Sequence, residues 1–159
     1  MYLFPYNSEW PEEYRKAEQA ILAAYIGSIQ LHHIGSTAIK GLFSKDCIDI
    51  LGVVSDLRQV KASLSCLINI DFQYKGSYGI EGREYFSKKI PRKVHLHIFQ
   101  EGNLNIKRHL GFVRIMKSSP DFIAKLNNLK IALQSKYPSD KDAYQNEKIF
   151  FYNEIHKML

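Results

Sequence analysis

A chain of 159 residues has the length of one domain and can bury a core without staples, so residues 1–159 are read as a single unit. Its two cysteines, Cys47 and Cys66, are too few for a disulfide framework and stand in no metal-binding spacing, so both are read as packing residues of a reduced, cytoplasmic protein. The formal charge of +6 favours an anionic partner, while the lack of any apolar run near the roughly 18 residues of a membrane span, and the polar Asn7, Ser8 and Glu9 near the start, argue against membrane association and secretion.

From Ser8 to Tyr25 the apolar positions Trp10, Tyr14, Ala17, Ile21 and Tyr25 step by three or four, which predicts a helix with Ser8 as its cap and Pro11 in its first turn. Ile29 to Ile34 reads as a strand broken by Gly35-Ser36-Thr37. Ile48 to Val54 is a central strand carrying a single carboxylate, Asp49. Asp56 then caps a helix over Leu57, Val60, Leu64 and Leu67, and Gly76, Gly79 and Gly82 punctuate a hairpin region. Tyr85 to Lys88 and Val94 to Phe99 are the remaining strands, and in the second of these His95 and His97, two apart, share a face. The rest of the chain carries three helix starts: Asn105 before a basic stretch, Ser119-Pro120-Asp121, and Ser139-Asp140 before a run rich in Tyr and Phe. This order predicts an α/β (α+β) fold, a small mixed sheet with helices on one side and a C-terminal helical extension.

A Gly-Ser turn after a strand lets backbone N–H groups approach phosphate oxygens closely, and a helix starting at Thr37 would add its positive end. Asp49 follows in an apolar strand, where a carboxylate is costly unless paired or bound to a metal. Strand, Gly-Ser turn, short helix and acid-bearing strand is the order in which nucleotidyltransferases build a phosphate grip beside a Mg²⁺ ligand.

His33-Ile34-Gly35-Ser36-Thr37-Ala38-Ile39 with Gly41-Leu42, then Lys45 and Ile48-Asp49-Ile50, resembles the hallmark of the GrpB-like proteins. These form an uncharacterised branch of the nucleotidyltransferase superfamily, with a related domain also found fused to dephospho-coenzyme A kinase. Further echoes are Gly82-Arg83 with Tyr85-Phe86, His95-Leu96-His97, His109-Leu110 with Phe112, Leu129-Lys130, and Tyr144 with Lys148, so the resemblance covers nearly the whole chain. It departs from the family at Lys40 and Asp46, where proline is usual, and at Val113, where arginine is expected and Arg114 follows instead. Active nucleotidyltransferases carry two acids separated by one residue, and here the second position is Leu51; the paired-carboxylate Mg²⁺ site is incomplete, as across the GrpB-like branch.

The resemblance implies a nucleotidyltransferase-like fold that binds a nucleoside triphosphate and transfers a nucleotidyl group to an unknown acceptor. Gly35 and Ser36, with Thr37, would hold the phosphates, and Lys45 or Arg83 would offset their charge. Asp49, with His95 and His97 completing the site, would bind a divalent metal, Mn²⁺ or Zn²⁺ being better suited to imidazole than Mg²⁺. His33 would contact the ligand or the acid, or else make a structural bond at the strand end. Tyr144, Lys148, Phe151 and Tyr152, at helical steps of three or four, read as core and rim, with contact of Tyr144 and Lys148 to a base or phosphate as the alternative. Lys107, Arg108, Arg114 and Lys117 around Phe112 could contact RNA, although Ile106, Leu110 and Val113 give the simpler account of an amphipathic helix. Two alternatives stand beside transfer: a non-catalytic module holding a nucleotide or phosphorylated metabolite, supported by Leu51, and a metal-dependent phosphohydrolase using Asp49, His95 and His97.

Overall fold

The computed structural model describes residues 2–159. Helix α1, Trp10–Ala24, leads into β1, Gln30–Ile34, which ends at Gly35 and a three-residue 3-10 turn, Ser36–Ala38. Strand β2, Cys47–Val54, is followed by a 3-10 segment, Leu57–Ser63, and the short α2, Leu64–Asn69. A glycine-rich loop joins β3, Gln73–Tyr74, to β4, Arg83–Lys88, and β5, Lys93–Gln100, completes the sheet. The tail is helical: α3, Leu104–Lys117; α4, Pro120–Lys136; and α5, Lys141–His156.

The caps follow from local hydrogen bonding. The side chains of Asp56, Ser119 and Asp140 accept from the backbone N–H groups of Arg58, Phe122 and Ala143, each satisfying a donor that the first turn leaves free. Two expected caps are displaced. Asn7, not Ser8, accepts from the Glu9 N–H at the start of α1, and Asn103, not Asn105, caps α3 by accepting from the Asn105 N–H. The segment after Asp56 begins as 3-10 rather than α-helix.

The five strands lie in the order β1-β2-β5-β4-β3, with β2 and β5 parallel and the other neighbours antiparallel. The register sets Asp49 between Ile34 of β1 and His95 of β5, and Leu51 opposite His97. On one face Ile48, Ile50, Val54, Phe86, Leu96 and Ile98 pack against Trp10 and Ile21 of α1 and Leu67 of α2; full burial of each large apolar side chain is worth roughly 1.5–3 kcal/mol.

The expectation of helices on one side is corrected here. On the opposite face Ile34, Leu51, Val53 and Phe99 form a second apolar layer under Ile106, Leu110 and Val113 of α3, so the sheet is covered on both sides. A third cluster, Ile39, Leu42, Phe112, Met116, Leu126, Phe151 and Ile155, ties the segment after the Gly-Ser turn to α3, α4 and α5. The helical extension thus packs against the loop that carries the turn. Only the early part of the second face, where β2 presents Cys47 and Asp49 and β5 presents His95, remains partly open.

Candidate functional site

The open part of the sheet, the Gly-Ser turn and the three C-terminal helices enclose a cleft of about 1260 Å³. Gly35, Ser36, Lys45, Cys47, Asp49, His95 and His97 line it from the sheet side, and Arg108, Lys130, Tyr144, Lys148 and Tyr152 from the helices. At its floor Gly35 has φ 72° and ψ −170°, a conformation essentially confined to glycine. A Cβ there would lie 2.9 Å from Asp49 Oδ2, so glycine is required both for the backbone path and for the approach to the acid. The α-helix expected from Thr37 is absent: Ser36–Ala38 makes one 3-10 turn, too short to supply a helix dipole.

Asp49 is the centre of a hydrogen-bonded row. Its Oδ1 lies 3.2 Å from His97 Nε2 and 3.5 Å from His95 Nδ1, and both histidines share its sheet face. On the far side of His97, Nδ1 lies 3.1 Å from an Arg83 terminal nitrogen. Guanidinium nitrogens only donate. His97 Nδ1 therefore accepts and its Nε2–H donates to Asp49, so both nitrogens are committed. Burial alone would raise the Asp49 pKa, but the hydrogen bonds from His95 and His97 outweigh it and hold the carboxyl well below its ordinary range.

Several expected ligand contacts are placed elsewhere. Arg83 is buried, 7% exposed, and its other donors reach the carbonyls of Ser77 and Tyr78; it orients His97 and fastens the glycine-rich loop instead of facing the cleft. His33 points to the α1 side, stacked on Tyr14 with centroids 4.7 Å apart, because side chains alternate along β1. Its Nε2 lies 2.9 Å from Oγ1 of Thr37, itself 1% exposed, and burial lowers its pKa to about 4. His33 and Thr37 therefore brace the turn from behind. Tyr144 is 1% exposed and offers no free ring face to a base.

Basic side chains gather near the Gly-Ser turn, and one of them contacts Ser36. Lys130 donates to Ser36 Oγ and to the Phe43 carbonyl, each at 2.7 Å. It is 3% exposed, and burial, reinforced by Lys148 and Lys45, lowers its pKa to about 7. Burial and the repulsion of Lys45 bring Lys148 down to about 8, with its Nζ 5.1 Å from the Tyr144 ring centroid. Lys45 is lowered as well, by burial and then by Lys141. Lys130, Lys148 and Lys45 line one cleft and repel one another, a repulsion that an anion placed among them would relax.

Two residues of the cleft were not legible as site residues. Lys130 stands 94 positions from Ser36, beyond any local pattern. Cys47, read as a packing residue, shares a strand face with Asp49 by simple alternation, and its thiol, one Asp49 oxygen and one His95 nitrogen all lie within 4.8 Å of one another. Burial first, and the Asp49 charge second, push the thiol far up from its ordinary value.

Sheet order, turn and acid-bearing strand define a nucleotidyltransferase-like fold. Cid1 poly(U) polymerase, solved with MgATP bound, is similar to this chain with TM-score 0.56 and 14% identity, covering 83% of this chain and 44% of that one, a likeness of fold. Residues 1–158 match the family model described as GrpB protein, and the chain belongs to the GrpB family. The conserved protein GrpB of Enterococcus faecalis superposes with TM-score 0.89 at 27% identity, covering 99% and 98% of the two chains. Glutamate-rich protein GrpB of Alkalihalophilus pseudofirmus is 31% identical over 161 residues, 96% of this chain and 92% of that one. UPF0157 protein YqkA of Bacillus subtilis is 30% identical over 141 residues, and this chain spans only 41% of its length.

The Mg²⁺ site that the fold implies does not fit these residues. The position two beyond Asp49 is Leu51, fully buried in the apolar layer under α3, and the groups beside Asp49 are imidazole and thiol, whereas Mg²⁺ asks for oxygen ligands.

Proposed function

We propose that the cleft binds a nucleoside triphosphate and transfers its nucleotidyl group to an acceptor. The observation that carries this reading is the contact of Lys130 with Ser36 at 2.7 Å, on the glycine turn and beside Lys45 and Lys148. Gly35 and Ser36 would hold the β- and γ-phosphates, and the lysines would offset the charge of the pyrophosphate that leaves as the acceptor oxygen bonds to the α-phosphorus. Catalysis in such a site is chiefly positioning and charge stabilisation.

Leu51 favours a second reading, in which a nucleotide or phosphorylated metabolite is held without turnover. The basic face of α3 is a weaker basis for RNA contact, because Ile106, Leu110 and Val113 of that helix pack on the sheet. Among the described residues no helix is long and apolar enough to cross a membrane, and a phosphorylated small molecule remains the partner the cleft suits best.

The test is a thermal-shift titration with ATP, GTP, CTP, UTP and tripolyphosphate. A ligand that binds only the folded state raises its stability as RT ln(1 + [L]/Kd). Nucleoside triphosphates should raise Tm in proportion to the logarithm of their concentration, and Lys130→Met should abolish the shift. No shift with any of the four nucleotides would overturn the reading. Release of pyrophosphate from a bound nucleotide distinguishes transfer from simple binding.

A further inference from the structure

The misfit with Mg²⁺ has a chemical direction. Cys47 and Asp49 stand two apart on β2, so their side chains share a face. The parallel pairing with β5 sets His95 level with Asp49. Thiol, carboxylate and imidazole are thereby presented from two paired strands, with one ligand atom from each within 4.8 Å of the other two. The His95 Nδ1 to Asp49 Oδ1 separation of 3.5 Å is close to the roughly 3.3 Å between two ligands of a tetrahedral ion with bonds of about 2.0–2.1 Å.

Lone pairs decide which histidine takes part. His97 has none to give, because Arg83 donates to its Nδ1 and its Nε2–H is directed at Asp49. His95 is less encumbered: its one polar contact, with Asp49, is long at 3.5 Å and uses Nδ1, its Nε2 has no partner among the described residues and can take the ring proton, and its side chain is 37% exposed. The set expected from sequence, Asp49 with both histidines, becomes Asp49 with His95 and Cys47. His97, held by Arg83, is left to orient the carboxylate, as groups behind metal ligands do.

We propose that Cys47, Asp49 and His95 form a three-ligand site for a thiophilic divalent cation of the Zn²⁺ type, with its fourth position open to the cleft. Three protein ligands and one open position is the arrangement of reactive rather than structural zinc, and a thiolate selects Zn²⁺ or Co²⁺ over Mg²⁺. Ser36 and Lys130 line the same cleft, so a phosphate oxygen held there would be the group offered to that open position. That last point alone rests on the phosphate-binding reading; the ion site stands on the three side chains.

Metal-stripped protein titrated with Co²⁺, without nucleotide, tests the site. The expected result is one equivalent bound, with a near-ultraviolet thiolate-to-cobalt charge-transfer band, displaced by Zn²⁺ and not by excess Mg²⁺. Cys47→Ser should lose the band, His95→Asn should weaken binding at least tenfold, and His97→Gln should keep the band. Should Cys47→Ser fail to fold, the His95→Asn result and the band in the unaltered protein decide. The proposal is overturned if the unaltered protein shows no band at saturating Co²⁺, if Cys47→Ser retains it, or if His97→Gln loses it while His95→Asn does not. Absence of the band together with a nucleotide-induced rise in Tm would remove the ion site and leave the phosphate site standing; the reverse pairing would do the opposite.

Discussion

Replacing Lys130 with methionine should make the protein more stable near neutral pH and, on the phosphate-binding reading proposed above, should weaken its hold on anions. The unbranched methionine keeps most of the contact made by the lysine stem and removes an ammonium that is 3% exposed. The fall of the Lys130 pKa from 10.5 to about 7 amounts to up to about 5 kcal/mol, at about 1.4 kcal/mol for each pH unit. This is the cost of holding the group charged in the folded state. Against it, the variant leaves Ser36 Oγ and the Phe43 carbonyl without their donor, each worth about 1–3 kcal/mol when buried and unpaired, although Ser36 faces the cleft and can turn to water. With Ser36 turned to water and the Phe43 carbonyl left unpaired, the balance is a gain of up to about 2–4 kcal/mol at pH 6.

The sign depends on pH in a defined window. Between about 7 and 10.5 the unfolded chain holds a proton on Lys130 that the folded chain has released, so stability of the unaltered protein rises with pH through this interval. Above it the charge cost is gone and only the two lost hydrogen bonds distinguish the variant, which should then be the less stable. Urea denaturation of both proteins at pH 6 and pH 10 measures the crossover. A variant destabilised by the same amount at both values would refute the assignment of Lys130 as a charged group held at a cost for anion binding.

Gly35→Ala should lower stability by about 2–3 kcal/mol, combining the strain of its backbone conformation with a Cβ placed 2.9 Å from Asp49 Oδ2; a loss below about 0.5 kcal/mol in urea denaturation would show that the turn tolerates a side chain. Asp49→Asn should cost about 1–2 kcal/mol at pH 7, because the hydrogen bond from His97 loses its charge assistance. The folded carboxyl sits below its unfolded value of about 3.9, so its stabilisation is complete above that pH and is lost as pH falls through the folded value; the gap between the two proteins should narrow from pH 5 downward, and a constant gap would assign the loss to packing instead. Leu51→Asp, which restores the missing second acid, should destabilise by roughly 3–5 kcal/mol as an unpaired charge in an apolar layer, and a variant of ordinary Tm that binds Mg²⁺ would refute that account.

Strand and cap chemistry was largely legible because it is local. Ile48 to Val54 is an apolar run interrupted by one acid, and β2 is found at Cys47–Val54; Ser119 and Asp140 cap the helices they were expected to cap. Asn103 and Asn105 are equivalent by type and spacing, and only the backbone path shows which one donates its N–H and which accepts it. The two-sided covering of the sheet had a signal in β2 itself, since a strand apolar at odd and even positions alike is buried on both faces. His33 and Arg83 could not be placed from composition, because whether a strand residue faces a cleft or its opposite side depends on register. The facing of His95 and His97 toward Asp49 follows from alternation once β2 and β5 are neighbours, and that adjacency is a property of the topology.

The same topology explains why the acid two positions beyond Asp49 has no place here. Along β2 the second face is divided. Cys47 and Asp49 lie where the face opens to the cleft, whereas Leu51 and Val53 lie beneath α3 with Ile34 and Phe99. A carboxylate at 51 would have to displace the helix or remain desolvated without a partner, and its neighbour across the strand, His97, already has both nitrogens occupied by Asp49 and Arg83. A ligand complementary to Asp49 therefore has to come from the open side of it, and the residues standing there are Cys47 on the same strand and His95 on the next. With α3 packed on Leu51, the metal chemistry open to this cleft moves from hard oxygen ligands to thiolate and imidazole, while the turn and the lysines that would hold phosphate lie outside the covered layer.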